Sequence, residues 1–506
     1  MKTKKKLMVI IGICAVLLVI GGVFSGVFAA AQVRTSAREK KLYAENNSVN
    51  ITEAFHDQAN KYMEPLEPTK TDDITVRLRT KRYNVNKAQV QYTADKGKTW
   101  QTADMTFDRH DDTGYFDFWV GKIPAQEGVF YYRFICANDT GSYFVDRSLQ
   151  PDTVESGTYS DCWAVSPGYH SADWTKGALW YNLSPDAFYN GDISGDVTVS
   201  DGNDINSWNH PRRTLADKYG GDLKGIAKKT EYIKGLYADA VFMNPFNRAN
   251  QNMGYGPLYY DMVEPSFGNA QSLKDTLAVL HKNGFKVGSD AVLTFTPYNS
   301  AYYNSDGTWP FAGAARDENS IWKDMFVFYQ WPDNVHLSWS GPALDHSSKT
   351  LQELLYTTKN SYMQYYTAAP FNLDSWRFDC GGWLYGRTDS GYLNDVQVLS
   401  VIKKNLQAIN PEIFFVSETS SYDSMLSTMW DSQWNFSLAR NWLNGYIKGS
   451  TSVSTLKNGL NGTLGVYPRP IALSTYNLLT THDELRQDRD QGQGQNTVPG
   501  KARITV

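Results

Sequence analysis

Cysteine is scarce, with four in 506 residues, and Cys14 lies in the leading apolar segment. Cys136, Cys162 and Cys380 then allow one disulfide at most, so the fold must stand on its core and not on staples. A dominant charge is also lacking. The 49 basic and 53 acidic side chains nearly cancel, to −4, which argues against the basic surface of a nucleic-acid binder. No short-period repeat and no low-complexity tract precede Gln491-Gly492-Gln493-Gly494-Gln495. With 41% hydrophobic and 20% charged residues, collagen, coiled coil, disorder and a polytopic membrane protein are poor readings. Rings are what the chain has in plenty: 15 Trp, 32 Tyr and 23 Phe.

The N-terminus places Lys2, Lys4, Lys5 and Lys6 before an uncharged apolar run from Leu7 to about Ala31, ending in Ala29-Ala30-Ala31. A basic head, an apolar middle and a small-residue site make an export signal. The run is also long enough to stay as a single N-terminal membrane anchor. Both readings predict an exported domain, and residues 1–31 are set apart as leader or anchor.

Residues 32–70 are polar, close on Glu64-Pro65-Leu66-Glu67-Pro68, and read as a spacer with a helical turn within Ile51–Tyr62. From Ile74 the apolar residues recur at period two: Ile74, Val76, Leu78; Val90, Tyr92; Phe116, Phe118, Val120; Val129 to Ile135; Tyr143 to Val145. Gly, Asn and Asp turns separate these runs, so 71–165 is expected to be a small antiparallel β-sandwich. Trp100, Trp119, Tyr131 and Tyr132 could line a sugar-binding face of it, core packing being the competing reading.

After Trp180 apolar strands alternate with amphipathic helices. Strands are expected at Leu179–Leu183, Ala238–Met243, Phe285–Leu293, Leu373–Asp379, Ile413–Glu418, Gln433–Phe436 and Ile471–Thr481. Helices are expected at Leu223–Leu236, Ser272–Asn283, Lys349–Thr367 and Asn394–Ile409. Repeated βα units predict an α/β fold with a parallel sheet, a (β/α)8 barrel with about seven strands present, over 170–506.

The chemistry-bearing residues fall at strand ends. Asp379 closes Ser375-Trp376-Arg377-Phe378-Asp379, Glu418 closes Ile413 to Glu418, and Asp483 follows His482. In a βα barrel the C-terminal strand ends share one face, so three acids would share one pocket. Two carboxylates across a glycosidic bond are the apparatus of sugar hydrolysis. Arg377 faces the same side of its strand as Asp379 and can hold it ionised. A lone strand-end Asp is more often a cap or a loop acid; three with Arg377 and His482 argue against that. Cys380 has no Cys/His constellation around it and is expected to be a packed thiol, and His281 beside Lys282 a surface residue.

At these residues the sequence resembles the α-amylase family of glycoside hydrolases. Its four short regions have ordered counterparts: Asp290-Ala291-Val292-Leu293-Thr294-Phe295, Trp376-Arg377-Phe378-Asp379, Phe415-Val416-Ser417-Glu418 and Thr481-His482-Asp483. Gly220-Gly221-Asp222-Leu223-Lys224-Gly225-Ile226 and Gly254-Tyr255 extend the match to about residues 175–485. The sandwich looks like the N-domain of the neopullulanase, cyclomaltodextrinase and maltogenic amylase branch.

The resemblance implies Asp379 as nucleophile, Glu418 as acid/base and Asp483 as transition-state stabiliser. It implies Arg377, His482 and Tyr255 at the cleaved sugar, and an α-glucan substrate attacked by double displacement with retention. It also implies a structural calcium ion held by Asn190, Asp192, Asp196, Gly220 and Asp222, against an acidic solvated loop as the alternative. Dimerisation through the N-domain occurs in that branch. Thr294 and Phe295 stand where the family has an Asn-His pair, and Gly256 follows Tyr255 where an acid is usual. The chain ends soon after Asp483, short of the family's last helix-strand-helix, so an incomplete barrel is expected. An impaired glucan-binding protein and a 4-α-glucanotransferase remain the alternatives.

Overall fold

A computed structural model describes residues 49–147, 152–153, 158–192, 220–338, 340–388, 391–478 and 481–482. The expected leader, Asp196 and Asp483 lie outside the described residues. The chain divides into two compact units at Pro167 and Gly168. Among the described residues no helix is long and apolar enough to cross a membrane.

Among the described residues every strand pairing of the first unit is antiparallel. Ile74–Lys81 alternates buried and half-buried along its length, the pattern a strand shows when one face meets a core. It pairs with Phe116–Ile123 from Ile74↔Ile123 to Lys81↔Phe116. Lys87–Thr93 pairs with Phe130–Asn138. The periodicity missed the strand Gln101–His110, in which Met105 alone is buried. Its first half pairs with Lys87–Thr93 and its second with Phe116–Ile123, so it passes the chain from one half of the sandwich to the other.

Two expectations for this unit need correction. The described part of the spacer belongs to the domain: Met63 pairs with Val76, Phe55 bridges Arg79, and His56 is buried. The His56 ring bonds Arg77 O at 2.7 Å and Tyr132 Oη at 2.8 Å, and burial pushes it down to about 3. It is therefore a neutral core histidine. Trp119, Tyr131 and Tyr132 are also buried, and Trp100 lies under the Arg133 guanidinium at 4.2 Å. The aromatics singled out as a sugar face are mostly core.

Among the described residues the second unit carries seven parallel strands in one sheet: Trp180–Leu183, Ala240–Met243, Lys286–Val292, Ser375–Asp379, Phe414–Ser417, Ser432–Asn435 and Tyr476–Asn477. Their order in the sheet is their order in the chain, without the reversal a doubly wound sheet shows. In a flat sheet the first and seventh strands would lie roughly 29 Å apart at the usual spacing. Instead Trp180 meets Tyr476 at 5.1 Å and stacks on Phe414 at 6.1 Å. The sheet is curled, with Trp180, Phe242, Phe414, Val416, Trp434 and Tyr476 packed inside it. A larger cluster, including Val241, Leu273, Leu277, Val287, Leu399 and Phe415, joins its outer side to the helices.

The seam between first and seventh strands is bridged below. Ser171 Oγ donates to Pro470 O (3.0 Å) and Gly177 N to Leu473 O (3.2 Å). Here the sequence reading is corrected again: Arg469–Leu473 is a helix with Pro470 near its start, and the strand is Tyr476–Asn477 alone. Ile471 is apolar because it faces the outer core, which periodicity cannot tell from a strand residue. The helix expected over Lys349–Thr367 is broken, with a wide turn at Glu353–Thr357 before Tyr362–Thr367. That expected over Leu223–Leu236 breaks at Lys229. His281 is not a free surface residue; its Nε2 lies 3.0 Å from Asp374.

Candidate active site

Parallel pairing sets the site. Val292 is the register partner of Asp379, and Phe378 of Ser417. Glu418 N donates to Phe378 O at 3.1 Å, which carries the alignment one residue past the fifth strand. Asp379 and Glu418 thus stand side by side at the C-terminal ends of neighbouring strands, as the spacing predicted. A carboxylate oxygen of each and the Cys380 sulfur all lie within 4.8 Å of one another. The Cys380 N–H donates to Glu418 Oε2 at 2.8 Å, with Cys380 in the left-handed region (φ 51°). Burial, Asp379 and Glu418 push its thiol up to about 12, so it is not a thiolate nucleophile.

Arg377 is wholly buried and serves three carboxylates. Its Nη1 donates to Asp290 Oδ2 and, at 3.1 Å, to Asp379 Oδ1, while Nη2 lies 3.3 Å from Glu418. The guanidinium rests on the Trp434 ring at 3.9 Å, a contact strengthened where water is excluded. A planar fork suits this arrangement as a point charge would not. Asp290, on the third strand, is the register partner of Arg377. Burial pushes it up to about 8, with Asp379 and Glu418 adding to the shift and Arg377 and Tyr255 opposing it.

Tyr255 reaches this centre from the loop after the second strand. Gly254 before it has φ 89°, and a Cβ there would meet Pro245 O at 2.2 Å, so the turn requires glycine. The Tyr255 hydroxyl donates to Asp290 Oδ2. Its ring stacks on His482 at 5.1 Å and 18°, and His482 packs edge-on against Trp434 at 5.5 Å. Arg377, Asp379, Glu418, Tyr255 and His482 are therefore brought together. Phe295 is buried, with its backbone bridged to Ala343. Asp290 as partner of Tyr255 and Trp434 as the floor under Arg377 were not foreseen. The signal for Asp290 was its strand, where it sits level with Arg377.

The expected calcium residues behave differently. Asp222 caps the helix Leu223–Lys228, accepting from Gly225 N at 2.5 Å, Asp192 N at 2.8 Å and Gly191 N at 3.1 Å. Asn190 Oδ1 accepts from Asp192 N at 3.1 Å. The Lys224 ammonium pairs with Asp192, and that of Lys228 with Gly191 O. Gly220 turns the chain at φ 64°. One ammonium group on Asp192 and N–H donors on Asn190 and Asp222 already occupy these oxygens, so the described members fit a hard cation poorly.

Comparison with known proteins gives two family matches. The alpha amylase N-terminal ig-like domain covers residues 50–161, and the alpha amylase catalytic domain residues 182–442. The amylopullulanase of Thermoanaerobacterium saccharolyticum is 25% identical over 87% of this chain, which spans 38% of that protein. The maltogenic alpha-amylase of Bacillus acidopullulyticus is 24% identical over 82% of this chain and 69% of its own. A solved cyclomaltodextrinase superposes with TM-score 0.59 at 19% identity, over 85% of this chain and 71% of that one. The type III pullulan hydrolase from Thermococcus kodakarensis gives 0.58 at 21%, over 86% and 73%. At such identity the two structures speak for the fold.

Proposed function

The chain belongs to the alpha-amylase family of glycoside hydrolases, and from that premise we propose that it hydrolyses α-glucosidic bonds of starch-derived glucans with retention of configuration. One observation carries the reading: Asp379 and Glu418 have carboxylate oxygens within 4.8 Å of each other. Retaining pairs stand about 5–5.5 Å apart, whereas inverting pairs need about 6.5–9.5 Å to admit a water. Glu418 gives its proton to the glycosidic oxygen as Asp379 attacks the anomeric carbon and the leaving sugar departs. Glu418 then takes a proton from water, which displaces Asp379 and frees the sugar. Arg377 holds Asp379 as the carboxylate that attack requires. Tyr255 and His482 present their stacked rings beside that centre, and Asp483, outside the described residues, is assigned to charge stabilisation by position in the motif.

The names of the relatives support maltooligosaccharides, cyclodextrins or pullulan as substrates. Binding without turnover is the second reading, favoured by Phe295, which offers no hydrogen bond to a sugar hydroxyl; a lost bond of that kind costs about 1–3 kcal/mol. Transfer to a second sugar, the glucanotransferase reading, uses the same first step. The proposal includes export, on the strength of Lys2 to Ala31, as a cleaved secreted form or anchored by that segment. Homodimerisation stays an open alternative, and no calcium ion enters the proposed chemistry. The test is incubation of the protein and its Glu418→Gln variant with maltoheptaose, cyclodextrin and pullulan. Reducing ends from the first and none from the second support the reading. Binding with no reducing ends from either would replace it with the binding protein.

A further inference from the structure

Arg377 is tethered to its carboxylates at one corner. Both of its hydrogen bonds leave Nη1, one to Asp290 Oδ2 and one to Asp379 Oδ1. Nη2 stands 3.3 Å from Glu418 Oε2 as an ion pair, and neither it nor Nε makes an aligned hydrogen bond among the described residues. One corner fixes a point and not a plane. Turned about Nη1, the same guanidinium would keep two carboxylates and carry Nη2 away from Glu418.

Against its face lies the Trp434 indole, 3.9 Å from Cζ to the ring centre. Trp434 is buried and packs against Phe242 at 6.1 Å, Phe436 at 5.9 Å and Tyr476 at 6.4 Å. It is also the register partner of Tyr476 on the seventh strand, so the ring is held independently of the guanidinium. From Trp434 the contacts run to His482 at 5.5 Å, on to Tyr255 at 5.1 Å, then to Asp290 and back to Arg377. Five side chains from five segments close a circuit, with the indole as the link between Arg377 and His482. Packing alone does not account for an indole here. Its N–H finds no acceptor among the described residues, and burying such a donor is unfavourable. Leucine or phenylalanine would bring no such donor. Tryptophan, however, is the ring whose face attracts a cation most strongly.

We propose that Trp434 is a positioning residue of the hydrolytic site: its ring fixes the plane of Arg377, so that Nη2 faces Glu418 while Nη1 holds Asp379, and it seats His482 against Tyr255. The inference rests on the hydrolase reading above. On it Trp434 acts through Arg377 and not by touching the sugar, so its effect belongs in kcat and not in KM.

The test compares Trp434→Leu and Trp434→Phe with the unmodified chain on maltoheptaose. A buried cation–π contact corresponds to about thirtyfold. Trp434→Leu should lose about that factor in kcat with KM within about twofold. Trp434→Phe, which keeps a ring face, should stay within about fivefold of the parent. Should the Leu variant fail to fold, Trp434→Met, with a flexible chain to refill the space, takes its place under the same expectation. A raised KM with unchanged kcat, equal losses in the Leu and Phe variants, or a kcat within about threefold in the Leu variant would overturn the role. Proton–nitrogen NMR of arginine-labelled protein gives a readout free of turnover. The indole face shifts the Arg377 Nε–H proton upfield, and that signal is assigned by its absence from Arg377→Lys. Trp434→Leu should move it downfield, and an unmoved signal would overturn the proposal. If the unmodified chain releases no reducing ends, the hydrolase reading falls, and the Arg377 signal decides by itself whether Trp434 holds the guanidinium.

Discussion

Arg377 is the residue whose replacement most sharply tests the site's electrostatics. Three carboxylates face its guanidinium, Asp290 and Asp379 by hydrogen bonds and Glu418 at 3.3 Å. A pair at 3.1 Å is worth roughly 5 kcal/mol at an effective dielectric of about 20 before desolvation is charged against it. Removing one partner of a buried ion pair costs about 3–5 kcal/mol, because the other is left uncompensated. Arg377→Met should therefore lose about that much unfolding free energy near pH 8. Asp290, already pushed up to about 8 by burial, can take a proton and relieve part of the strain at lower pH. The loss should accordingly be smaller at pH 5. Arg377→Lys keeps the charge but not the fork. Losing one or two charge-assisted bonds at about 1.5–3 kcal/mol each predicts a fall in kcat/KM of roughly tenfold to about twenty-thousandfold. Urea unfolding at both pH values and steady-state kinetics read these effects. A Met variant as stable as the parent at both pH values, or a Lys variant within about twofold in activity, would refute the reasoning.

Three further outcomes follow from the same structure. Asp290 holds its proton in the native state well above the pH at which an unfolded Asp releases it, so its contribution to stability falls as pH rises from about 4 towards 8. In Asp290→Asn that slope should disappear from a stability-pH series, and an unchanged slope would place the titration elsewhere. Burial pushes the thiols of Cys136, Cys162 and Cys380 up to about 12, and all three are free. Iodoacetamide at pH 7.5 should leave them unlabelled in the native protein and label them in urea, as mass spectrometry would show; native labelling would contradict this. Because Lys224 and Lys228 already occupy Asp192 and Gly191 O, EDTA and added calcium should leave the melting temperature within about 2 °C, where 1 kcal/mol is worth roughly 2–4 °C in a large domain. A larger rise with calcium would show that the ion displaces the lysines.

The pairing of Asp379 with Glu418 was legible because short apolar strands ended on acids, and parallel strands carry their ends to one face. Arg377 was legible because period two puts it on the face of Asp379. What escaped depends on contacts between distant segments. Nothing local ties Tyr255 to Asp290, 35 residues away, or puts Trp434 beneath Arg377. The run at Ile471 misled because an apolar stretch beside proline reads the same as helix or strand when both bury it. Gln101–His110 was invisible for the opposite reason: a strand with one buried side chain has no hydrophobic period to read. The calcium expectation rested on oxygen-bearing residues at family spacing; that Lys224 takes Asp192, and that Asp222 caps the helix Leu223–Lys228, shows only in the structure.

On the proposed mechanism Asp379 and Glu418 act across one glycosidic bond at retaining distance. Proton NMR of the first sugar released from maltoheptaose, recorded before the anomers equilibrate, tests it most directly. The new reducing end should appear as the α-anomer and drift towards equilibrium, and Glu418→Gln should release none. A β-anomer appearing first would mean that water attacks directly, and would contradict the assignment of Asp379 as nucleophile.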